Sequence, residues 1–423
     1  MYQTEQKEKA LLVMVEVGRQ NWQTETLIEE FKNLVASSGI EVVDLVLVKR
    51  KEINPAFFIG KGKVEELAAK AVEKNANVVI FNNNLSFTQQ RNLEDILGIK
   101  TIDRTQLILD IFAKHAHSQE GMLQVELAQL QYLFGRLKGK GIMLSRLGGG
   151  IGTRGPGEKK LEVDRRRIVD RIRSLQEKLG EVKKYREVIR KKRKKEKTLI
   201  CSLVGYTNAG KTTLFNTLTS STQKISDSLF TTLDTVSRSF TLHNNLKIIL
   251  TDTVGFIYNL PPNLIEAFKA TLEELYYADL LLHIIDASSK DIERLKSSTD
   301  TVLVDLKLLD KPTLVVFNKI DKISDFELKA LKNTYPDAVF VSASKKINID
   351  KLKEKIYEIF SKTVTEAILK VPFNIMDLSE YIYANCEVLK VSYQSNAAVY
   401  FAKARKEKLQ YLQSKGVIIE EIK

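Results

Sequence analysis

Two hydrophobic periods alternate through the first quarter of the chain. LLVMVEV (11–17), VVDLVLV (42–48) and VVIF (78–81) are apolar runs of strand length. TLIEEFKNLVAS (26–37) and GKVEELAAKAVEKN (62–75) instead return an apolar residue every three or four positions, as amphipathic helices do. A helix over Phe87–Leu97 and a short strand near Ile99–Ile102 continue the alternation. Strand and helix in turn predict a small α/β domain with a largely parallel sheet, placed at residues 1–115.

The pattern then keeps one period only. Leu123, Leu127, Leu130, Phe134 and Leu137 are spaced 4, 3, 4 and 3. After a glycine-rich interruption, Leu161, Ile168, Ile172, Leu175, Leu179, Val182 and Ile189 hold the same seam. Two heptad-like helices around a loop predict an antiparallel helical hairpin over 116–197. The loop is expected at GKGIMLSRLGGGIGTRGPGE (139–158), and the second helix ends in KYREVIRKKRKKEK (184–197). Loops of this length inside a compact domain are usually functional or disordered.

Repeated βαβ patterning returns over 198–362. Strands are expected at Leu199–Val204, Lys247–Thr251, Leu280–Ile285, Thr313–Phe317 and Ala338–Val341. The segment 363–423 gives strand, helix, strand, strand, helix, strand, the order of a small α+β split-βαβ domain.

Charge changes the picture at one place. The chain carries a net +13, yet Arg136–Lys197 alone holds 23 Lys/Arg against 8 Asp/Glu, which leaves the remainder slightly acidic. Such clustering is the footprint of a polyanion partner, most often nucleic acid; the plainer alternative is a solvated basic helix face. Two cysteines make no disulfide framework, and Cys201 falls in an apolar run as a core residue. No apolar run reaches the ~20 residues of a membrane helix, and the N-terminal MYQTEQKEKA is too polar for a secretory leader. A cytoplasmic protein is expected.

The chemistry concentrates in the βαβ region. GYTNAGKT comprises Gly205, Tyr206, Thr207, Asn208, Ala209, Gly210, Lys211 and Thr212; it follows an apolar strand and opens a helix. That is the phosphate-loop context: glycines let backbone N–H groups turn toward phosphate, Lys211 reaches the outer phosphates, and the Thr212 hydroxyl serves Mg2+. Asp252, Thr253, Val254 and Gly255 follow the next strand, so that Asp252 holds the metal through water and the Gly255 amide senses a γ-phosphate. Between them, in LFTTLDT (229–235), lie Phe230, Thr231, Thr232, Leu233 and Asp234; Thr232, with Thr231 as competitor, is expected to close over Mg2+ and the γ-phosphate. Asn318, Lys319, Ile320 and Asp321 form NKID, whose Asp321 carboxylate accepts from guanine N1–H and the 2-amino group, donors that adenine lacks there. Ser342, Ala343 and Ser344 offer a backbone N–H to guanine O6. Together these predict a GTP-binding domain. Phe256 follows Gly255, where many GTPases place a water-orienting glutamine; it either leaves hydrolysis slow and partner-dependent or packs, with Ile257, against the sheet.

With these residues in place, the chain resembles the HflX family of ribosome-associated GTPases over roughly residues 10–420. The resemblance rests on FFIGKGKVEELA (57–68), GMLQVELAQLQYL (121–133), GGGIGTRGPGE (148–158), LFTTLD, DTVGFI and LPPNLIEAFKATLEE (260–274). One departure is GPGEKKLEVDRR (155–166), where the family usually has GPGETQLETDRR. The resemblance implies GTP-dependent binding to the large ribosomal subunit and its rRNA, with the segments 139–158 and 184–197 as the RNA contacts. It also implies ribosome-stimulated hydrolysis and the separation of stalled or idle ribosomes. A monomer is expected, cytoplasmic with some protein at the membrane surface. Weak ATP binding by the N-terminal domain is a further implication, with GKGK (60–63) as local candidate, although a strand-to-helix turn is its plainer reading.

Overall fold

The computed structural model describes residues 8–18, 24–147, 156–195, 199–221, 229–230, 234–242, 246–258, 261, 269–361 and 364–421. The first sheet contains β1 (Lys9–Val17), β2 (Glu41–Arg50), β3 (Val78–Phe81) and β4 (Lys100–Ile102), in the order β2-β1-β3-β4 and parallel throughout. Its burial follows from period two. Ala10 and Leu12 join Phe31, Leu34, Ile108 and Phe112 on one face; Leu11, Val13 and Val15 join Val64, Leu67 and Leu93 on the other. The helices α1 (Thr24–Ser37) and α4 (Arg104–His115) therefore cover one face, and α2 (Lys61–Glu73) and α3 (Phe87–Leu97) the other. GKGK is a turn into α2: Gly60 is its N-cap, and a Cβ on Gly60 would stand 2.7 Å from an Arg50 guanidinium nitrogen.

Helices α5 (Gln119–Leu147) and α6 (Pro156–Lys195) pair antiparallel. The Arg165 guanidinium lies 5.4 Å from the Phe134 ring centre, Arg171 grips Glu126 at 2.7 and 2.9 Å, and Arg186 meets Glu120 at 2.5 Å, so partners descend α5 as they climb α6. The loop expected at 139–158 is corrected. Helix continues to Leu147 and resumes at Pro156, and the remaining 148–155 lie outside the described residues. A glycine costs a helix about 1 kcal/mol relative to alanine, but an established helix gains a backbone bond with each added residue. Proline suits a first turn because its missing N–H has no partner to lose there.

The heptad seam also accounts for only one face of α5. Val125 and Ala128 are buried in the N-terminal core, with Tyr132 packed against it. The Tyr132 hydroxyl donates to Asp103 at 2.7 Å and Arg136 pairs with the same carboxylate at 2.8 Å. Asp103 also caps α4 by accepting from the Gln106 amide at 2.8 Å. The base of the hairpin is thus fastened to the first sheet.

The second sheet has β5 (Leu199–Gly205), β6 (Val236–Thr241), β7 (Lys247–Asp252), β8 (Leu280–Asp286), β9 (Thr313–Asn318) and β10 (Val339–Phe340), ordered β10-β9-β8-β5-β7-β6. Only β6 runs antiparallel to its neighbour. It is an edge strand absent from the sequence expectation, because VSRSFT is mostly polar and buries Phe240 alone. Helix α7 (Lys211–Thr219) leaves the end of β5, and α8 (Lys269–Tyr276) precedes β8. The third sheet, β11 (Val364–Pro372), β12 (Glu387–Tyr393), β13 (Ala397–Arg405) and β14 (Ile418–Glu421), is antiparallel in the order β12-β13-β11-β14, the interleaving of a split βαβ unit. Cys201 is fully buried in β5, which pushes its thiol pKa well up and fits the core role expected of it. Among the described residues no helix is long and apolar enough to cross a membrane.

Candidate functional site

Strand β5 ends at Gly205, and the chain turns sharply there into α7. Two glycines make the turn possible. Gly205 has φ +145°, and a Cβ there would stand 2.2 Å from the Ile284 carbonyl oxygen. Gly210 has φ +85°, and its Cβ would stand 2.2 Å from Asn318 Nδ2. Lys211 is 6% exposed; its ammonium donates to the carbonyls of Gly205 (3.1 Å) and Tyr206 (2.7 Å). Burial pushes its pKa down to about 8, with Asp252 opposing and Lys319 adding to the shift. Thr207 and Ala209 are buried beside it, while Asn208 is exposed with φ +59°.

The metal residues expected from sequence meet. Thr212, at the start of α7, donates its hydroxyl to the Asp252 carboxylate at the end of β7, 2.8 Å away. A hydroxyl beside a carboxylate is the hard oxygen donor set that Mg2+ requires, so these residues fit the ion. Thr231, Thr232 and Leu233 lie outside the described residues.

Beyond Asp252 the strand zips onto the phosphate loop. The Phe256 amide donates to Gly205 O at 3.1 Å, and the Thr207 amide to Phe256 O at 2.7 Å. Thr253 anchors this segment from below through its hydroxyl, which donates to Leu203 O at 2.6 Å. Gly255 is pressed into the site: a Cβ there would lie 2.8 Å from Lys211 Nζ and 2.9 Å from Thr207 Cα. Of the two readings of Phe256, packing is observed. Its ring is 2% exposed among Val204, Leu272, Leu275 and Ala278, and Ile257 is 1% exposed in the N-terminal core, as Val254 is buried there.

Asn318 joins the loops expected to bind the base to the phosphate loop. Its Nδ2 donates to Ala209 O at 2.9 Å, and its Oδ1 accepts from the Ala343 amide at 3.0 Å. Lys319 has φ +63°; its stem passes beside Gly210 and its ammonium pairs with Asp286 at 2.7 Å. Ile320 is buried beneath a 3-10 turn that leaves Asp321 exposed, with its carboxylate open to a ligand. Ser342 is fully buried, and its hydroxyl accepts from the Lys345 amide at 3.2 Å; Ser344 is exposed beside it. The ends of β5, β7 and β9 and the loop after β10 thus converge on one cradle, the place where open parallel sheets bind ligands.

Two residues of the segment expected to bind nucleotide are turned elsewhere. Phe230, at φ +60°, is 4% exposed and stacks edge-on against Phe112, centroids 4.6 Å apart. Asp234 accepts from the amides of His117 (3.0 Å) and Ser118 (2.7 Å) and from the Ser118 hydroxyl, at the start of α5. A helix start presents unpaired N–H groups, and a carboxylate is their natural partner. Gly121 makes the approach possible, since a Cβ there would lie 2.3 Å from Asp234 Oδ1. Sequence patterning misses the N-terminal side of this junction, namely Glu30, Arg104, Ser118 and the role of Gly121. Their contacts across the junction, from Ser118 to Asp234, Arg104 to Tyr258 and Glu30 to Tyr206, span 116 to 176 positions, too far for a local pattern to pair them.

Residues 25–113 match the family described as GTP-binding GTPase N-terminal, and 115–193 the GTP-binding GTPase Middle Region. Residues 200–319 match the 50S ribosome-binding GTPase family, and 300–361 the C-terminal region of that domain. The GTPase HflX of Caldanaerobacter subterraneus is 49% identical over 86% of this chain and 83% of its own. The GTPase HflX of Escherichia coli is 44% identical over 82% of each. A GTP-binding protein of Sulfolobus solfataricus, crystallised in complex with GDP, covers 84% of this chain and 99% of its own at 26% identity and a TM-score of 0.45.

Proposed function

Because the chain belongs to the HflX family of GTPases, we propose that it is a nucleotide-controlled switch that binds the large ribosomal subunit and its rRNA when GTP is bound, and separates stalled or idle ribosomes. The protein is a GTPase. In this reading the backbone of Gly205–Thr212 cradles the phosphates, Lys211 stabilises charge on the outer ones, and Asp321 reads guanine while Asn318 holds its loop. Thr212, Asp252 through water and Thr232 would hold magnesium, which would neutralise phosphate charge. The Gly255 amide reports the γ-phosphate. Phe256 packs into the core and offers the site no proton-transferring group, so in this reading another group, ordered by a bound partner, places the water.

The observation that carries the switch reading is the seating of the hairpin. One helix starts on Asp234, and the other pairs Lys183 with Glu273 of α8 at 3.1 Å. Both contacts flank the segments expected to follow the nucleotide. The basic hairpin, with residues 139–158 and 184–197 as RNA contacts, is therefore attached where nucleotide state changes the protein. GTP turnover by the purified chain, alone and with large ribosomal subunits, tests this, with ATP as control. Strong stimulation of GTP turnover alone is expected. No response to the subunit would sink the switch reading in favour of a module that GTP merely stabilises, and subunit-independent ATP turnover would point to the N-terminal domain.

A further inference from the structure

A closed circuit of side chains and backbone groups links the phosphate loop to the first sheet. The Tyr206 hydroxyl donates to Glu30 of α1 and accepts from the Tyr258 amide at 2.6 Å. Arg104, at the start of α4, donates to the other Glu30 oxygen at 2.7 Å and to the Tyr258 carbonyl at 2.8 Å, with Asn82 taking its second nitrogen. Arg104 is 2% exposed, Tyr206 8%, and the Glu30 side chain 9%. Water does not screen such an arrangement, so each partner depends on the others.

The position of the circuit along the chain gives it leverage over the nucleotide site. Gly205 and Thr207, on either side of Tyr206, are the residues whose backbones pair with Phe256; Tyr258 lies two residues further on. The circuit therefore clamps the two segments together just beyond their backbone bridge. With the clamp closed, Gly255 lies against Lys211, and the Lys211 ammonium rests on the Gly205 and Tyr206 carbonyls. A terminal phosphate requires that ammonium to turn outward and Gly255 to stand off by the width of a phosphate group. A diphosphate makes no such demand on Gly255.

We propose that Glu30 and Arg104 are positioning residues for the nucleotide site: acting through Tyr206 and Tyr258, they hold Gly255 against Lys211 and set the preference between nucleoside diphosphate and triphosphate. The inference rests on the assignment of Gly205–Thr212 as the phosphate site. Opening the clamp favours the triphosphate. Tyr206→Phe keeps the ring and removes the hydroxyl; Glu30→Gln keeps the shape and weakens the acceptor. Removal of one charge-assisted hydrogen bond is expected to raise the affinity ratio of a non-hydrolysable GTP analogue over GDP roughly tenfold.

The test is equilibrium titration of the full chain with fluorescent GDP and with the fluorescent GTP analogue, in magnesium. The variants are Tyr206→Phe, Glu30→Gln, their double, and Lys211→Ala. The expected result is a raised ratio in each clamp variant and a rise in the double smaller than the sum of the two, because the variants remove the same Tyr206–Glu30 hydrogen bond. Parallel weakening of both nucleotides, an unchanged ratio, or additive shifts would overturn the proposal and reduce the circuit to domain adhesion. Should one single variant fail to fold, the other still decides the sign of the ratio. The site assignment is judged apart: it falls if Lys211→Ala binds both nucleotides as the parent does, whatever the clamp variants show.

Discussion

Asn318→Ala removes a side chain whose two hydrogen bonds are both buried. It is 2% exposed and joins Ala209 O (2.9 Å) to the Ala343 amide (3.0 Å). Truncation leaves one carbonyl and one N–H without these protein partners in a space the size of an amide. Each such group costs about 1–3 kcal/mol, and water entering that space recovers part of the total, so we expect a loss of about 3 kcal/mol confined to these loops. At about 1.4 kcal/mol per factor of ten, this is roughly a hundredfold. Hydrogen exchange resolved to single amides reads it directly: the Ala343 N–H should exchange about a hundredfold faster while amides of β1 and β3 keep their rates. Nucleotide affinity should fall with it, because Gly210 and the guanine loop no longer share a common register. Asn318→Asp is the companion variant. It still accepts from Ala343 but sets a carboxylate against the Ala209 carbonyl, so Ala343 protection should survive while nucleotide affinity falls. Unchanged Ala343 exchange in the alanine variant, with affinity retained, would refute the reasoning.

Four further outcomes are expected. Phosphate favours the charged form of Lys211, whose pKa burial holds at about 8, so nucleotide binding should take up a proton above that pH; calorimetry in buffers of different ionisation heat measures it. In the protein alone, the folded chain binds this proton less tightly than the unfolded chain, whose lysine titrates near 10.5, so this group's contribution makes stability rise between about pH 8 and 10.5. Charge reversal across Lys191–Lys195 should weaken RNA binding and flatten its salt dependence by about 0.7 to 0.9 for each phosphate that is no longer neutralised; equal slopes would make the segment a solvated face. Gly121→Ala should displace Asp234 from the start of α5, so that Asp234→Ala adds little in that background; full additivity in thermal unfolding would show that the contact carries nothing.

The cradle is legible in the sequence because each of its parts is local. A phosphate loop needs its glycines and its lysine within a single turn of chain, and Gly205 and Gly210 show why: neither has room for a Cβ. The guanine motif and DTVG likewise stand at the ends of strands that read as continuous apolar runs, visible without any partner. Strand β6 gives little signal because an edge strand buries one face weakly, and the glycines of α5 argue for an earlier helix end than the one observed. Asp234 and Phe230 flank residues expected from the sequence to bind nucleotide, yet their own contacts are with α5 and Phe112.

Most secondary-structure elements, the nucleotide motifs and the location of the basic charge depend on residues close along the chain, which is why reading the chain alone reaches them, with β6 and the end of α5 as the exceptions. Folding in three dimensions was needed to show that the first sheet grips the phosphate loop through Glu30 and Arg104 and that the hairpin starts on Asp234. Those contacts join residues 116 to 176 positions apart, and a buried carboxylate or guanidinium is tolerated there only because the fold supplies a partner that no local pattern names.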